Sequence, residues 1–290
     1  MSRGNRREAI FKDDQDRRRF LVTLAEICVK TGWKVHAFCL MTNHFHFVVE
    51  TPQPNLVAGM KWLLGTYTVR FNRRHKLTGH LFSGRYKSLI VDGSGSGYLR
   101  TVCDYVHLNP VRANLLRPDQ SLRAYRWSSY GEYLKGAGQR VKWLRVDRVL
   151  GEMGIPKDSP AGRRQFESRM EQRRREESGR DWRKVRRGWC FGDETFREEL
   201  LAQAQEKLGP DHYGDERQEA AEHKAKRIVR EELQSLGWKS AELGRRLKGD
   251  PEKVRIARRL RTETTVTLKW ITACLVMGTW TYVANRLYHC

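Results

Sequence analysis

Apolar side chains in the first fifty residues follow two different spacings. They recur every three or four residues over 20–28, which is the period of a helix. They alternate with polar ones over 33–41 and again over 44–51, in segments rich in strand-forming residues. Thr42 and Asn43, between these segments, suit a tight turn. The pattern therefore predicts a helix followed by a two-stranded β-hairpin.

The same two spacings return over the next sixty residues. A helical stripe of apolar positions runs over 56–71, a strand-like segment over 85–91, and a second helical stripe over 98–109, which Pro110 closes. The order of elements is helix, strand, strand, helix, strand, helix. This order predicts an α+β fold of the ferredoxin-like type that lacks its first strand.

The chain changes character after about residue 133. Charged residues dominate 169–187, where nine are basic and four acidic, and 224–261, where thirteen are basic and five acidic. The segment 265–288 has the form of two short helices around a glycine-containing turn, which is typical of a helix-turn-helix. We therefore predict three regions, namely an α+β domain over 1–133, a charged helical linker region over 134–223 and a basic helical module over 224–290.

The charge balance limits the partners of the protein. Its 290 residues include 56 Lys and Arg but only 34 Asp and Glu, a net charge of +22 at pH 7. An excess of this size must face an anion, a nucleic acid or an acidic membrane surface. The 39% of apolar residues suffices to build a core, which excludes a wholly disordered chain.

Three absences from the sequence narrow the class of protein. No run approaches the eighteen apolar residues of a spanning helix, and the first residues lack the apolar stretch of a secretory signal. The six cysteines are scattered without a C-x-x-C pair, so we expect neither structural zinc nor a disulfide framework. We therefore expect a cytoplasmic protein without a membrane partner.

His44-Phe45-His46 is the sharpest local feature. Residues two apart on a strand point to the same face, so both imidazoles can reach one metal ion while Phe45 points into the core. Two nitrogen ligands leave room for a third protein group and for phosphate oxygens. The alternative at this point is that the two histidines are ordinary surface or packing residues.

Tyr105 and Asn109 form the second candidate pair. Residues four apart share a helix face, so the two side chains would project together. A tyrosine hydroxyl becomes a useful nucleophile when a metal polarises the phosphate that it attacks, and an amide oxygen is a reasonable ligand for a hard cation. Alternatively, Tyr105 is a packing residue and Asn109 caps the end of the helix.

Four segments, in order and at matching spacing, resemble a known family. Over roughly residues 1–130 the chain is similar to the REP-associated tyrosine transposases, relatives of the small single-strand transposases in the HUH nuclease superfamily. The segments are Ser2-Arg3-Gly4-Asn5, Met41-Thr42-Asn43-His44-Phe45-His46, Leu81-Phe82-Ser83-Gly84-Arg85-Tyr86-Lys87-Ser88 and Tyr105-Val106-His107-Leu108-Asn109-Pro110-Val111-Arg112-Ala113.

The resemblance implies a ferredoxin-like catalytic domain that cuts single-stranded or hairpin DNA. It places Mg²⁺ or Mn²⁺ on His44, His46 and Asn109 and makes Tyr105 the nucleophile, which leaves a 5′-phosphotyrosine link and a free 3′-OH. The link stores the phosphodiester energy, so no nucleotide cofactor is expected. The absence of a G-x-x-x-x-G-K-[ST] motif from the sequence agrees with this expectation.

One departure from the family pattern concerns the sheet. Family members usually begin with a strand of the type Pro-Gly-x-x-Tyr-His-Val, whereas this chain starts at Met1, directly before Ser2. We therefore expect the first strand of the sheet to be missing and the neighbouring strands to expose backbone donors and acceptors.

Two sets of residues are candidate DNA contacts. For the first set, in the catalytic domain, the alternative is a solvated basic face. For the second set, in the C-terminal module, the alternative is a helical hairpin used for packing. In the catalytic domain the candidate phosphate contacts are basic, namely Arg70, Arg73, Arg74, Lys76, Arg85 and Lys87. In the C-terminal module we expect a DNA-binding helix that enters a major groove through Thr279, Thr281, Asn285 and Arg286. The predicted core of that module is Val266, Leu268, Ile271, Leu275, Val283 and Leu287.

The prediction is thus a metal-dependent single-stranded DNA endonuclease and strand transferase, associated with the nucleoid. Two rivals stay open. One is a non-catalytic DNA-binding regulator derived from a decayed transposase. The other is an HUH replication initiator or relaxase, although those proteins typically carry a third histidine and often a second tyrosine. Monomer and dimer both stay open.

Overall fold

A computed structural model describes residues 1–177, 182–207 and 215–288. The fold is α+β, with a small antiparallel sheet and many helices. The described residues form two compact units. The first unit draws on the ranges 1–22, 33–50 and 66–212, and the second draws on 23–32, 51–65 and 213–290.

Strands and helices alternate in the first part of the chain, and every element that the structure describes after β5 is a helix. The strands are β1 (Ser2–Arg3), β2 (Lys34–Leu40), β3 (His44–Glu50), β4 (Ile90–Val91) and β5 (Cys190–Phe191). The helices are α1 (Asp14–Thr31), α2 (Leu56–His75), α3 (Tyr98–His107), α4 (Asn109–Arg112), α5 (Tyr130–Tyr133), α6 (Asp147–Glu152), α7 (Pro160–Arg175), α8 (Arg183–Arg187), α9 (Glu194–Lys207), α10 (Asp215–Ser235), α11 (Glu242–Arg245), α12 (Pro251–Glu263), α13 (Leu268–Cys274) and α14 (Trp280–Tyr288).

The main sheet has the order β1-β3-β2 and is antiparallel throughout. Where the sequence predicts a missing first strand, the structure has the two-residue strand β1 beside β3, with Ser2 opposite Phe45. The segment 81–87 covers the other edge of β1, since the Ser83 amide donates to the Arg3 carbonyl oxygen at 2.9 Å. β1 pairs only with His44 and Phe45, so it fills the predicted gap over two residues of β3 and leaves 46–50 outside this pairing.

The predicted strand over 85–91 is shorter in the structure. Only Ile90–Val91 is a strand, and it pairs in parallel with Cys190–Phe191 in a separate two-stranded sheet. The residues before it, 81–87, instead run along the N-terminal segment by backbone hydrogen bonds such as that from the Lys87 amide to the Met1 carbonyl oxygen, 2.8 Å.

Gly4 lies where the chain leaves β1, and a close backbone approach explains its presence. A Cβ atom at this position would lie 2.2 Å from the carbonyl oxygen of Glu8, a distance that real Cβ atoms do not reach. Any larger residue would therefore push the N-terminal segment away from β3. This contact accounts for the glycine in the first of the four family-like segments.

An aromatic cluster fixes which way β3 faces. Phe45 is fully buried, with its ring centroid 4.7 Å from that of Phe20 and 5.2 Å from that of Phe47, to which it stacks. Because side chains alternate along a strand, burial of Phe45 on this face turns His44 and His46 to the other face. The predicted orientation of the hairpin is confirmed.

The second unit has its own hydrophobic core. Four of the six predicted core residues, Val266, Ile271, Leu275 and Val283, are buried in it, and Leu268 and Leu287 pack against it partly buried. α13 and α14 are joined by five residues, in which Val276 and Gly278 both adopt positive φ angles, 51° and 85°. The structure thus has two short helices joined by a glycine-containing connection over 268–288, and the DNA-binding role of this pair stays a prediction.

Within the ranges that the structure describes, no helix is long and apolar enough to cross a membrane.

Candidate metal and nucleophile site

β3 presents the two histidines side by side. Their ring centroids lie 5.1 Å apart with the ring planes at 79°. Both side chains are half-buried, and His46 lies opposite Cys39 of β2 in the sheet register. The spacing of two along one strand thus gives the shared face that the sequence predicts.

Burial keeps both imidazoles neutral at pH 7. It lowers the pKa of His44 to about 4, with a further contribution from the charge of Arg3, which lies opposite His44 in β1. Burial also lowers the pKa of His46 well below its usual range, and the neighbouring His44 adds to the effect. A neutral imidazole has a free nitrogen lone pair, which is the form that binds metal ions.

The side chain of Asn43 orients the first imidazole. Its Oδ1 atom lies 2.7 Å from Nδ1 of His44. An amide oxygen can only accept, so this contact favours the tautomer in which Nδ1 carries the proton. The lone pair of His44 then lies on Nε2. Partners of this kind on the non-ligating nitrogen are usual for metal-binding histidines.

Tyr105 lies next to His46. The centroids of the two rings are 5.8 Å apart, with the planes at 78°. Tyr105 is 8% exposed and belongs to the buried side of α3. The structure therefore brings the predicted nucleophile and the predicted metal ligands of β3 together, although they are about sixty residues apart in sequence.

Asn109 is buried directly after α3. The helix ends at His107, its C-cap residue is Leu108, and Asn109 opens α4 before Pro110. Asn109 therefore is not the cap of α3. It is 7% exposed, and its Nδ2 atom has no hydrogen-bond partner among the described residues. A buried amide with an unmatched donor fits a polar ligand better than a packing role.

These side chains fit a divalent cation. Two neutral imidazoles and a carboxamide oxygen suit a metal ion that keeps further positions for water or phosphate oxygens. In the part of the chain that the structure describes, no group of three His, Cys, Asp or Glu is placed to hold a metal. The family resemblance implies the carboxamide of Asn109 as a third protein donor, and this assignment stays a prediction.

Sequence reasoning gave no role to three residues around Tyr105. The guanidinium carbon of Arg112 lies 4.0 Å from the Tyr105 ring centroid, and the ring centroid of Trp182 lies 5.3 Å from it. Glu177 forms an ion pair with Arg112. Residues seven apart lie on the same side of a helix, so the spacing of Tyr105 and Arg112 could have indicated their contact. Glu177 and Trp182 lie in the segment predicted as a linker, where no such spacing relates them to Tyr105.

The six candidate phosphate contacts of the first unit differ in their surroundings. Arg70 is half-buried, and the four exposed side chains are those of Arg73, Lys76, Arg85 and Lys87. Arg74 forms ion pairs with both Asp13 and Asp16, each with a nitrogen–oxygen distance of 2.5 Å. The charge of Arg74 is thus already matched within the protein.

The candidate DNA-binding face of α14 lies on the solvent side. Thr279, Thr281, Asn285 and Arg286 are all exposed, whereas Val283 on the same helix is fully buried. The Thr279 hydroxyl accepts a hydrogen bond from the Tyr282 amide at 3.3 Å, which satisfies a donor at the start of the helix. α14 thus separates an apolar side from a polar one.

One of three comparisons with known proteins found a match. No curated protein and no solved structure was found to match the chain. Residues 1–109 match the sequence profile of the family described as "Transposase IS200 like". The matched range contains His44, His46, Tyr105 and Asn109, and a transposase family implies DNA as the partner. Over residues 1–109, the chain is therefore similar to the IS200-like transposases, a family that acts in DNA transposition.

Proposed function

We propose that the protein is a metal-dependent single-stranded DNA endonuclease and strand transferase of the REP-associated tyrosine transposase type. The observation that carries this proposal is the placement of the Tyr105 ring 5.8 Å from the ring of His46, at the edge of a pair of neutral imidazoles. A potential nucleophile beside a potential cation site is what phosphoryl transfer to a tyrosine requires.

The reaction would proceed by transfer of a phosphodiester to the protein. The Oη atom of Tyr105 forms a bond to the scissile phosphorus as the bond from phosphorus to the 3′ oxygen breaks. The phenolic proton passes to water, and the 3′ oxygen takes up a proton. The products are a 5′-phosphotyrosine and a free 3′-OH, and attack by a 3′-OH on the phosphotyrosine reverses these steps and joins strands.

His44, His46 and Asn109 would hold Mg²⁺ or Mn²⁺ for this step. When bound, the ion polarises the scissile phosphate and stabilises the leaving oxygen. The chain itself orients the site, since Asn43 fixes the tautomer of His44 and the sheet fixes the direction of both rings. Helix α3 carries Tyr105, whose ring centroid lies 5.8 Å from that of His46.

The second unit would bind DNA through α14. Its exposed residues Thr279, Thr281, Asn285 and Arg286 have the hydroxyl, amide and guanidinium groups that read base edges and phosphates. The net charge of +8 over 224–261 is available to attract the DNA backbone. We therefore assign the stem of a hairpin to this unit and the single strand beside the stem to Tyr105.

The covalent adduct tests the proposal. Full-length protein and Mn²⁺ are incubated with a single-stranded library in which a hairpin is flanked by randomised nucleotides. Protein-bound strands are recovered under denaturing conditions and sequenced. Tyr105→Phe should abolish the adduct and leave DNA binding nearly intact, because only the hydroxyl is lost. Tyr98→Phe, at the start of the same helix, is the matched control and should form the adduct normally.

One observation favours a second candidate, a non-catalytic DNA-binding regulator. Tyr105 is only 8% exposed, with Trp182 against its ring. A regulator would bind hairpin DNA through its basic surface and form no adduct with any member of the library. That result with the unmodified protein would overturn the proposed transposase activity, and adduct formation by Tyr105→Phe would overturn the assignment of the nucleophile.

A further inference from the structure

Arg112 is a cation beside Tyr105 that has no part in the phosphodiester transfer proposed for Tyr105 and the metal ion. Its guanidinium carbon lies 4.0 Å from the centroid of the Tyr105 ring, and its Nη2 atom donates to the Tyr105 carbonyl oxygen. Arg112 ends the short helix α4, which Asn109 begins. The permanently charged side chain of Arg112 therefore contacts α3, the helix that carries Tyr105. Arg112 itself belongs to α4, which begins with the proposed ligand Asn109.

Two residues from distant sequence hold this guanidinium in place. Glu177, whose side chain is 4% exposed, forms an ion pair with Arg112. The indole Nε1 of Trp182 donates to the same carboxylate at 2.9 Å, and the guanidinium carbon lies 5.3 Å from the centroid of the Trp182 ring. The cation is thus oriented before any ligand arrives, so its ordering does not oppose ligand binding.

The guanidinium keeps donors for another ligand. An arginine has five N–H groups, and among the residues that the structure describes the hydrogen bonds to Glu177 and to the Tyr105 carbonyl oxygen use two of them. The Arg112 side chain is 20% exposed, so solvent or a substrate reaches part of it. The Arg112 guanidinium is planar and binds the Glu177 carboxylate on one edge. Its other edge is suited to bind a phosphate oxygen.

The charge of Arg112 also reaches the histidine pair. The Tyr105 ring lies between the two groups, with its centroid 5.8 Å from that of the His46 ring and 4.0 Å from the Arg112 guanidinium carbon. The positive charge of Arg112 therefore lies close to the space beside Tyr105 and His46 where the scissile phosphate would bind. A scissile phosphate in that volume carries a negative charge, which increases on its oxygens during transfer.

We propose that Arg112 is a catalytic residue that donates to a non-bridging oxygen of the scissile phosphate while Tyr105 attacks. The proposal rests on the proposed function. As the bond from Tyr105 Oη to phosphorus forms and the bond to the 3′ oxygen breaks, the guanidinium balances the charge on the non-bridging oxygens and is itself unchanged. Glu177 and Trp182 are positioning residues, which act through Arg112.

The test compares substrates that differ at one non-bridging position of the cleaved phosphate. The first is the oligonucleotide that the full-length protein cuts, and the second has a methylphosphonate at the cleaved linkage, in which a neutral methyl group replaces one non-bridging oxygen. Each methylphosphonate diastereomer is assayed separately, at saturating DNA and Mn²⁺. Arg112→Gln should lower the rate constant of adduct formation on the phosphodiester by about 10²- to 10³-fold.

The same substitution should matter far less on one methylphosphonate. Where the oxygen that Arg112 contacts is absent, Arg112→Gln should lower the rate constant by less than about 10-fold, because the contact worth about 10²-fold or more is already gone. An equal effect of Arg112→Gln on the phosphodiester and on both diastereomers would overturn the proposal and leave Arg112 a packing residue.

Glu177→Gln is the matched control for a positioning role. It breaks the same ion pair but keeps the guanidinium, so on the phosphodiester its loss of rate should be smaller than that of Arg112→Gln. Because Glu177 acts through Arg112, this loss should shrink on the same methylphosphonate diastereomer. If Arg112→Gln unfolds the protein, as judged by circular dichroism, Arg112→Lys takes its place. Lysine keeps the charge for Glu177 but cannot form the planar fork, and the same comparison between substrates applies.

Failure of the inference and failure of the proposed function give different results. If the unmodified protein forms an adduct that Tyr105→Phe does not, the proposed function stands whatever the methylphosphonate comparison shows. If the unmodified protein forms none, the proposed function and the role of Arg112 are both overturned.

Discussion

The Oδ1 atom of Asn43 and the Nδ1 atom of His44 lie 2.7 Å apart, so the residue that turns the hairpin also sets the tautomer of the first candidate ligand. The Asn43 side chain is itself fixed, since its Nδ2 atom donates to the carbonyl oxygen of Arg7 at 3.0 Å. The hairpin turn is therefore part of the candidate metal site and not only a connection between strands.

Asn43→Ala should weaken Mn²⁺ binding by about 10- to 100-fold, because His44 loses the acceptor that fixes its ring. Isothermal titration calorimetry measures the affinity directly. Asn43→Asp keeps an acceptor at the same place and should retain most of the affinity. Equal affinities for the alanine variant and the unmodified protein would show that the tautomer of His44 is irrelevant to the ion.

His44→Ala combined with His46→Ala should remove Mn²⁺ binding and metal-dependent cleavage without unfolding the first unit. Both side chains are only half-buried, and the core of the hairpin is built by Phe45 on the other face. His80→Ala, at an exposed position, is the control for losing a histidine. Unchanged Mn²⁺ affinity in the double variant would place the ligands elsewhere.

Arg73 and Arg74 should behave differently although they are neighbours. Arg73 is exposed, so Arg73→Gln should lower the slope of log affinity against log salt by about 0.7 on single-stranded DNA if it contacts one phosphate. Arg74→Gln should instead lower the melting temperature and leave the slope unchanged, because Arg74 is paired with Asp13 and Asp16. A larger change of slope for Arg74→Gln than for Arg73→Gln would contradict this assignment.

Arg286→Gln should weaken binding to hairpin DNA while adduct formation at saturating DNA stays the same. The loss of one duplex phosphate contact should lower the salt slope by about 0.9. Lys269→Gln, at an exposed position on α13, is the control and should have a smaller effect. If both substitutions change the slope equally, binding reflects the overall charge of the unit and α14 has no special part in it.

The hairpin and its flanking helices could be predicted because local patterns determine them. Alternation over 44–51 predicts which face of β3 is buried, and the burial of Phe45 confirms it. The strand predicted over 85–91 was too long because its partner, Cys190–Phe191, lies a hundred residues away. A pairing over that separation leaves no periodic signal near Ile90.

The surroundings of Tyr105 could be predicted only in part, for the same reason. Helical spacing relates Tyr105 to Asn109, and a strand relates His44 to His46. Glu177 and Trp182 reach Tyr105 and Arg112 only through tertiary packing of a segment whose composition indicates a solvated charged helix. Their burial follows from the fold of the unit and not from their neighbours in sequence.

The second compact unit consists of segments that are far apart in sequence and are therefore synthesised at different times. The Nζ atom of Lys30 donates to the carbonyl oxygen of Thr262 at 2.7 Å, across 232 positions of sequence. At translation rates of about 5–20 residues per second, this partner emerges roughly 10 to 50 s after Lys30. Until then the segments 23–32 and 51–65 lack the largest part of their unit, although Ile27 and Leu63 are fully buried in the finished protein. For that interval the apolar side chains of these two segments have no complete core to join, and transiently exposed apolar surface of this kind favours aggregation. A chain that ends before α12 would keep this surface exposed, although His44, His46 and Tyr105 would already be present.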